Sequence, residues 1–160
     1  MKAESPQVMV REARPQDQPF ILAAAERLGG GFPLPPWRSP QEVVAAEART
    51  LRGFIESGDA GSKLLVAEDA QGNPLGFLFL ETQEDYFTLT RYGHVGMLAV
   101  AEEAEGQGAG RVLMAAAEAW GREQGFTKLT LNVFESNHHA RKVYEHMGYS
   151  PETLRYVKPL

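Results

Sequence analysis

The chain has 160 residues, a formal net charge of −5 and no cysteine, which excludes disulfides, thiolate metal sites and a cysteine nucleophile and argues against general nucleic-acid binding. With 43 % hydrophobic residues it can fill one substantial core but not two, so a single domain over residues 1–160 is expected. No apolar run approaches the roughly 20 residues that span a bilayer, and residues 1–6 lack the apolar centre of a signal peptide; no membrane role and a cytoplasmic address are therefore expected.

In chain order, residues 8–12 read as a short strand. Ile21, Ala24, Ala25 and Leu28 recur at helical spacing and are stopped by Gly29-Gly30-Gly31. The loop 29–37 carries three prolines and cannot be regular structure. Ser39-Pro40-Gln41-Glu42 is a capping box with proline at the first helical position; it opens a helix whose apolar face is Val44, Ala48, Leu51 and Ile55, ending near Gly58. Strands follow at 63–68 and 75–81, joined by the turn Gln71-Gly72-Asn73-Pro74. A further strand spans 93–100, then come a glycine loop, a helix over 112–124, a strand over 127–134, a short helix, and a last strand at 154–158.

The glycine loop is Glu105-Gly106-Gln107-Gly108-Ala109-Gly110-Arg111. Alternate glycines let the backbone turn tightly and approach a ligand. A helix that begins there also presents unpaired N–H groups at the positive end of its dipole, which suits a phosphate or pyrophosphate. A turn that merely reverses the chain is the alternative. A Walker loop is excluded, because Gly110 is followed by Arg111 and Val112 rather than Lys and Ser or Thr. A Rossmann fingerprint is excluded too, because the strand at 127–134 has no terminal acid.

About thirty residues later the chain reads Asn132-Val133-Phe134-Glu135-Ser136-Asn137-His138-His139-Ala140-Arg141-Lys142-Val143-Tyr144-Glu145-His146-Met147-Gly148-Tyr149. Taken together, the two blocks resemble the GNAT superfamily of acyl-CoA-dependent N-acyltransferases. The first is similar to its pyrophosphate loop, the second to its closing pattern of Asn, a short helix carrying Ala and Tyr, then Gly and an aromatic. The resemblance is sharpest over residues 92–149. It implies an α/β fold, a mixed central sheet with helices on both faces in the order β-α-α-β-β-β-α-β-α-β, and acetyl-CoA as co-substrate without a metal. It also implies cofactor contacts at Leu98, Ala99, Val100, Gly106, Gln107, Gly108, Ala109, Gly110, Arg111, Asn137 and Tyr144. One departure is plain: Glu105 stands where the family usually has Arg or Gln, and a carboxylate beside a pyrophosphate is expected to turn away. Homodimerisation is left open.

Acetyl transfer to an amine needs a base. An amine near the lysine pKa of about 10.4 is roughly one part in a thousand neutral at pH 7.5, a cost of about 4 kcal/mol. His94 lies on the strand that leads to the loop, where related enzymes often carry a Glu or His base. Strict alternation would set His94, Gly96, Leu98 and Val100 on one face unless a bulge intervenes. A hydrogen-bonded structural histidine is the alternative, and Glu81 is the second candidate base. His138, His139 and His146 read as a solvated helix surface. Ala140, Val143, Tyr144 and Met147 follow helical spacing, so a core tyrosine would look the same; the resemblance instead gives Tyr144 a hydrogen bond to the departing CoA thiolate. A phenol near pKa 10 is about 2 kcal/mol short of protonating a thiolate near 8.5, which favours hydrogen bonding over transfer. Asn137 suits a helix cap. The resemblance further implies a backbone N–H near residues 98–100 aimed at the acyl oxygen.

The resemblance implies a small-amine or peptide acceptor, with a small amine, an amino acid, an antibiotic and a protein N-terminus all open, bordered by residues 29–37 and 82–92. Phe32, Trp37, Tyr86 and Phe87 offer an aromatic wall, and Glu81, Glu84 and Asp85 a cation-attracting edge; core aromatics and solvated acids are the alternative. A non-catalytic acyl-CoA-binding domain would keep the glycine loop without needing His94 or Tyr144.

Overall fold

A computed structural model of the protein describes residues 7–160; the expectation about the signal peptide falls on residues 1–6, outside the described residues. The elements are β1 (Met9–Glu12), α1 (Gln18–Ala25), α2 (Pro40–Ser57), β2 (Lys63–Glu68), β3 (Pro74–Glu84), β4 (Arg91–Val100), α3 (Ala109–Glu123), β5 (Leu129–Leu131) and α4 (His138–His146). The strands form one sheet in sequential order. β1 to β4 are antiparallel, and β5 joins β4 in parallel.

The side chains of β2, β3 and β4 alternate between the two faces of the sheet, each packed by helices. Leu64, Val66, Phe77, Phe79, Met97 and Ala99 meet Ile21, Ala24 and Ala25 of α1 and Leu51 of α2. Leu65, Ala67, Leu78, Leu80 and Val95 meet Leu113, Met114, Ala117 and Trp120 of α3. The helices thus lie on both faces, as expected for this α/β class. Fully burying an aliphatic or aromatic side chain stabilises by roughly 1.5–3 kcal/mol, and Phe77, Leu78, Leu80, Leu51 and Leu113 are each at 0 % exposure.

Local signals account for the element ends. Ser39 Oγ accepts from the Glu42 amide at 3.1 Å, with Pro40 opening α2. Asp69 Oδ1 accepts from the Gln71 and Asn73 amides, both at 2.9 Å, closing the β2–β3 turn. The first helix is continued past Ala25 by a 3-10 turn, Glu26–Gly29.

Two expectations fail. The strand anticipated at 127–134 pairs only over Leu129–Leu131. The last strand, at 154–158, is absent: residues 150–160 are irregular and exposed, with Leu154 at 71 % and Tyr156 at 88 %. A strand needs a ladder, and β5 offers only three residues of it. Pro151 and Pro159, which lack amide donors, bracket the segment.

Candidate active site

The site rests on a break in the β3–β4 register. Pairing runs Gly76↔Val100 to Phe79↔Met97, then resumes at Leu80↔Val95 and Glu81↔His94. Gly96 is the extra residue, and a bulge of this kind reverses the facing of everything beyond it. His94, Gly96, Leu98 and Val100 therefore do not share a face. Leu98 and Val100 pack toward α3, whereas His94 points to the α1/α2 side. Its neighbours fix this: Val95 belongs to the α3 core, and a Cβ on Gly93 would meet Leu129, Trp120 and Phe126 there.

The bulge brings the two candidate bases side by side. Glu81 continues the facing of Phe77 and Phe79, so it lies opposite His94 on the same side of the sheet, where cross-strand Cβ atoms are about 4.5–5.5 Å apart. Its carboxylate lies over Gly96: a Cβ there would come 2.7 Å from Glu81 Oε2 and 3.2 Å from Phe79 Cδ1. Only a glycine admits the carboxylate in this position.

His94 is 7 % exposed. Its Nδ1 is 2.7 Å from Thr130 Oγ1 on β5, leaving Nε2 as the second ring nitrogen. Burial lowers the imidazole pKa below 6.5, favouring the neutral ring near neutral pH. Glu81 shifts the other way, above 4.5, through desolvation and then the charge of Asp59. Glu47 of α2, one turn before the buried Leu51, also rises above 4.5 through desolvation and then the charge of Glu81. Glu47 and Thr130 were not singled out in the sequence. The signal for Glu47 was a charged residue between Val44 and Leu51 on the apolar face of a helix.

β4 pairs with β5 only at Gly93, His94 and Val95. Residues 96–100 run on without a β5 neighbour, so backbone groups on that side of β4 are open beside His94. Loop 29–37 reaches the segment after β5. Phe32 and Phe134 have ring centroids 5.5 Å apart, and Ser136 Oγ donates to the Pro33 carbonyl.

At its far end β4 leads into the glycine loop. Gly106 has φ 80° and Gly108 φ 84°, the left-handed region that disfavours side chains. Gly108 is the N-cap of α3 and no side chain caps the helix. The first-turn amides of Ala109, Gly110 and Arg111 therefore have no intrahelical acceptor. A Cβ on Gly106 or Gly108 would meet nothing within 4 Å. This open cradle of amides at a helix N-terminus fits a pyrophosphate. Glu105 turns aside to pair with Arg27.

Residues 32–149 match the Acetyltransferase (GNAT) family. The chain belongs to this family. An uncharacterized N-acetyltransferase of Bacillus subtilis (strain 168) is 31 % identical over 117 residues, 73 % of this chain and 76 % of that protein. An aminoglycoside N(6')-acetyltransferase type 1 of Stenotrophomonas maltophilia is 31 % identical over 102 residues, 62 % of this chain and 66 % of that one. Among solved structures, a provisionally named acetyl transferase from Pyrococcus furiosus superposes with a TM-score of 0.75 at 23 % identity, over 96 % of this chain and 100 % of that one; at this identity the likeness is one of fold. The protein is thus an acyl-CoA-dependent acetyltransferase of the GNAT fold, and the family implies acetyl-CoA as the donor.

Within this GNAT frame the remaining expected residues fall as follows. Asn137 caps α4, its Oδ1 accepting from the Ala140 amide at 3.2 Å. Tyr144 is half-buried against the α3-side core, 6.0 Å from the Tyr149 ring, and burial raises its pKa above 10. His138, His139 and His146 are exposed, as expected of a solvated face. The proposed acceptor edge disperses. Tyr86 and Phe87 pack on each other at the β3–β4 turn, at 88 % and 81 % exposure. Asp85 is held by Lys128 and by the Phe87 and Thr88 amides, and its pKa falls to about 2. Trp37 is 42 % exposed, and Glu84 is solvated opposite Arg91. Of that edge, Glu81 lies opposite His94, and Phe32 packs on Phe134. Among the described residues, no group of three or more potential metal ligands is present, and no helix is long and apolar enough to cross a membrane.

Proposed function

We propose that the protein acetylates a cationic primary amine directly from acetyl-CoA, with His94 removing the amine proton beside Glu81. The observation that carries this reading is the bulge at Gly96, which sets His94 and Glu81 on one face next to the open edge of β4. Acetyl-CoA supplies the acetyl group as a thioester. The amides of Gly108, Ala109, Gly110 and Arg111, with Gly106 and Gln107, cradle its pyrophosphate. Leu98, Ala99 and Val100 line the pantetheine path, with Asn137 across from them.

Glu81 and Glu47 draw the acceptor in as an ammonium ion. In the tautomer whose Nδ1–H donates to Thr130 Oγ1, 2.7 Å away, Nε2 keeps its lone pair and takes the ammonium proton. The imidazolium so formed sits next to the Glu81 carboxylate, which offsets its burial. The C–N bond then forms as the C–S bond breaks, and the second amine proton leaves the nitrogen for the departing thiolate, giving the amide and CoA as its thiol. An open amide of residues 97–100 donates to the carbonyl oxygen, an interaction typically worth roughly 3–4 kcal/mol. The Tyr144 hydroxyl donates a hydrogen bond to the departing thiolate; its raised pKa makes outright proton transfer less favourable than hydrogen bonding.

A panel of amines with acetyl-CoA, followed by CoA thiol release, tests the reading. The panel runs from monoamines to diamines, aminoglycosides and peptides with a free N-terminus. Turnover should appear with cationic primary amines and rise with a second positive charge, given Glu47 beside Glu81. Tight acetyl-CoA binding without turnover on any amine would contradict it.

A further inference from the structure

Glu105 poses an electrostatic problem that the fold answers from a distant element. It sits in the glycine loop, where a pyrophosphate would bring two further negative charges. Arg27, in the 3-10 turn Glu26–Gly29 that follows α1, reaches across to this loop. Its Nη1 donates to the Val100 carbonyl at 2.6 Å, and its Nη2 pairs with Glu105. The guanidinium thereby ties the end of β4 to the start of the glycine loop, and only Arg offers such a fork.

We infer that Arg27 is a positioning residue for the acetyl-CoA site: anchored on the Val100 carbonyl, it neutralises Glu105 and makes the glycine loop acceptable to a pyrophosphate. This rests on the reading of residues 105–111 as the pyrophosphate loop. In most proteins of this family the motif itself carries the cation or amide at this place; here the positive charge arrives from residue 27. The contact is solvent-facing, with Arg27 at 39 % and Glu105 at 58 % exposure, so the effect is moderate and screened by salt.

The test is a double-mutant cycle on acetyl-CoA affinity, measured by calorimetry at low and high salt with melting temperature recorded alongside. Arg27→Ala leaves Glu105 unpaired and should weaken acetyl-CoA binding about three- to tenfold at low salt, less at high salt. Glu105→Gln frees the guanidinium and should tighten binding about two- to threefold. The double variant should return to within about twofold of wild type, because the offending charge is gone. KM for the amine should not move, and S-acetylpantetheine, which lacks the pyrophosphate, should be insensitive to all three changes. Unaltered affinity in a folded Arg27→Ala protein overturns the inference. So does a double variant as weak as Arg27→Ala, which would assign the loss to the Val100 anchor instead. Failure of the wild-type protein to bind acetyl-CoA would instead refute the loop reading on which the inference rests.

Discussion

Gly96→Ala is a direct perturbation of the proposed site, because it adds one methyl where the Glu81 carboxylate lies. The new Cβ would stand 2.7 Å from Glu81 Oε2, whereas ordinary contact begins near 3.4 Å, so the carboxylate must retreat by 3.4 − 2.7, about 0.7 Å. Phe79 Cδ1, at 3.2 Å, must yield by a few tenths of an ångström. The backbone itself is not in the left-handed region at Gly96, so alanine's restriction of the unfolded chain contributes roughly 0.4–1 kcal/mol of stability and offsets part of that strain. Net stability should change by about 1 kcal/mol or less, a melting shift of roughly 2–4 °C. Catalysis is less forgiving, since a displacement near 1 Å costs up to about 10²-fold. Steady-state kinetics on the best amine should show kcat/KM down about 10–100-fold with KM for acetyl-CoA unchanged. Glu81→Gln should give a loss of similar size. A folded Gly96→Ala enzyme with full kcat/KM would refute the placement of Glu81 in the reaction.

Other outcomes follow from the same geometry. Gly108→Asp, placing bulk and charge in the amide cradle at φ 84°, should lower the melting temperature modestly. It should also abolish the acetyl-CoA-induced rise, which for a ligand at 100 times its Kd corresponds to about 2.7 kcal/mol; a preserved rise would exclude the loop. Tyr144→Phe keeps the ring packed on the α3 side, so stability and acetyl-CoA affinity should hold while turnover falls; full turnover with chemistry rate-limiting would return Tyr144 to the core alone. Asp85 has a folded pKa depressed to about 2 by Lys128 and two amides. Its contribution is complete above the unfolded value near 3.8 and is lost as pH falls toward 2. The melting temperature of Asp85→Asn should thus lie below wild type at neutral pH and converge with it over that acidic window; a gap that persists at pH 2 would contradict the linkage.

Much of this was legible in the sequence because it depends on short-range chemistry. The Ser39 cap, the Gln71–Pro74 turn and the glycine loop each declare themselves within a few residues. What escaped depends on contacts between distant segments. Period-two alternation cannot show that Gly96 bulges, yet that one residue moves His94 to the other side of the sheet. Glu47 gains meaning only when α2 is laid over Glu81. Arg27 and Glu105 are far apart in the chain, so their pairing left no local pattern. Tyr86 and Phe87 looked like part of an acceptor wall because the length of the β3–β4 hairpin was not visible; β3 extends to Glu84, carrying them to its exposed tip. The apolar residues at 154–157 read as a strand, but the sheet ends at β5, which offers only three residues of ladder.

The account stands most directly on the pH dependence of kcat/KM for the amine, measured for wild type, His94→Ala and Glu81→Gln. His94 acts only when neutral and Glu81 only when ionised, so both require the rate to rise with pH. Burial and the charge of Asp59 raise Glu81 and burial lowers His94, so the Glu81 part of the rise should lie above 4.5 and the His94 part below 6.5. His94→Ala should remove the His94 part of that limb, leaving the Glu81 part, and cut turnover roughly 10²–10⁴-fold at neutral pH, the loss shrinking at high pH where the free amine is abundant. Glu81→Gln should keep the limb at reduced height. A limb unchanged in His94→Ala and lost in Glu81→Gln would contradict the account and give the proton to Glu81.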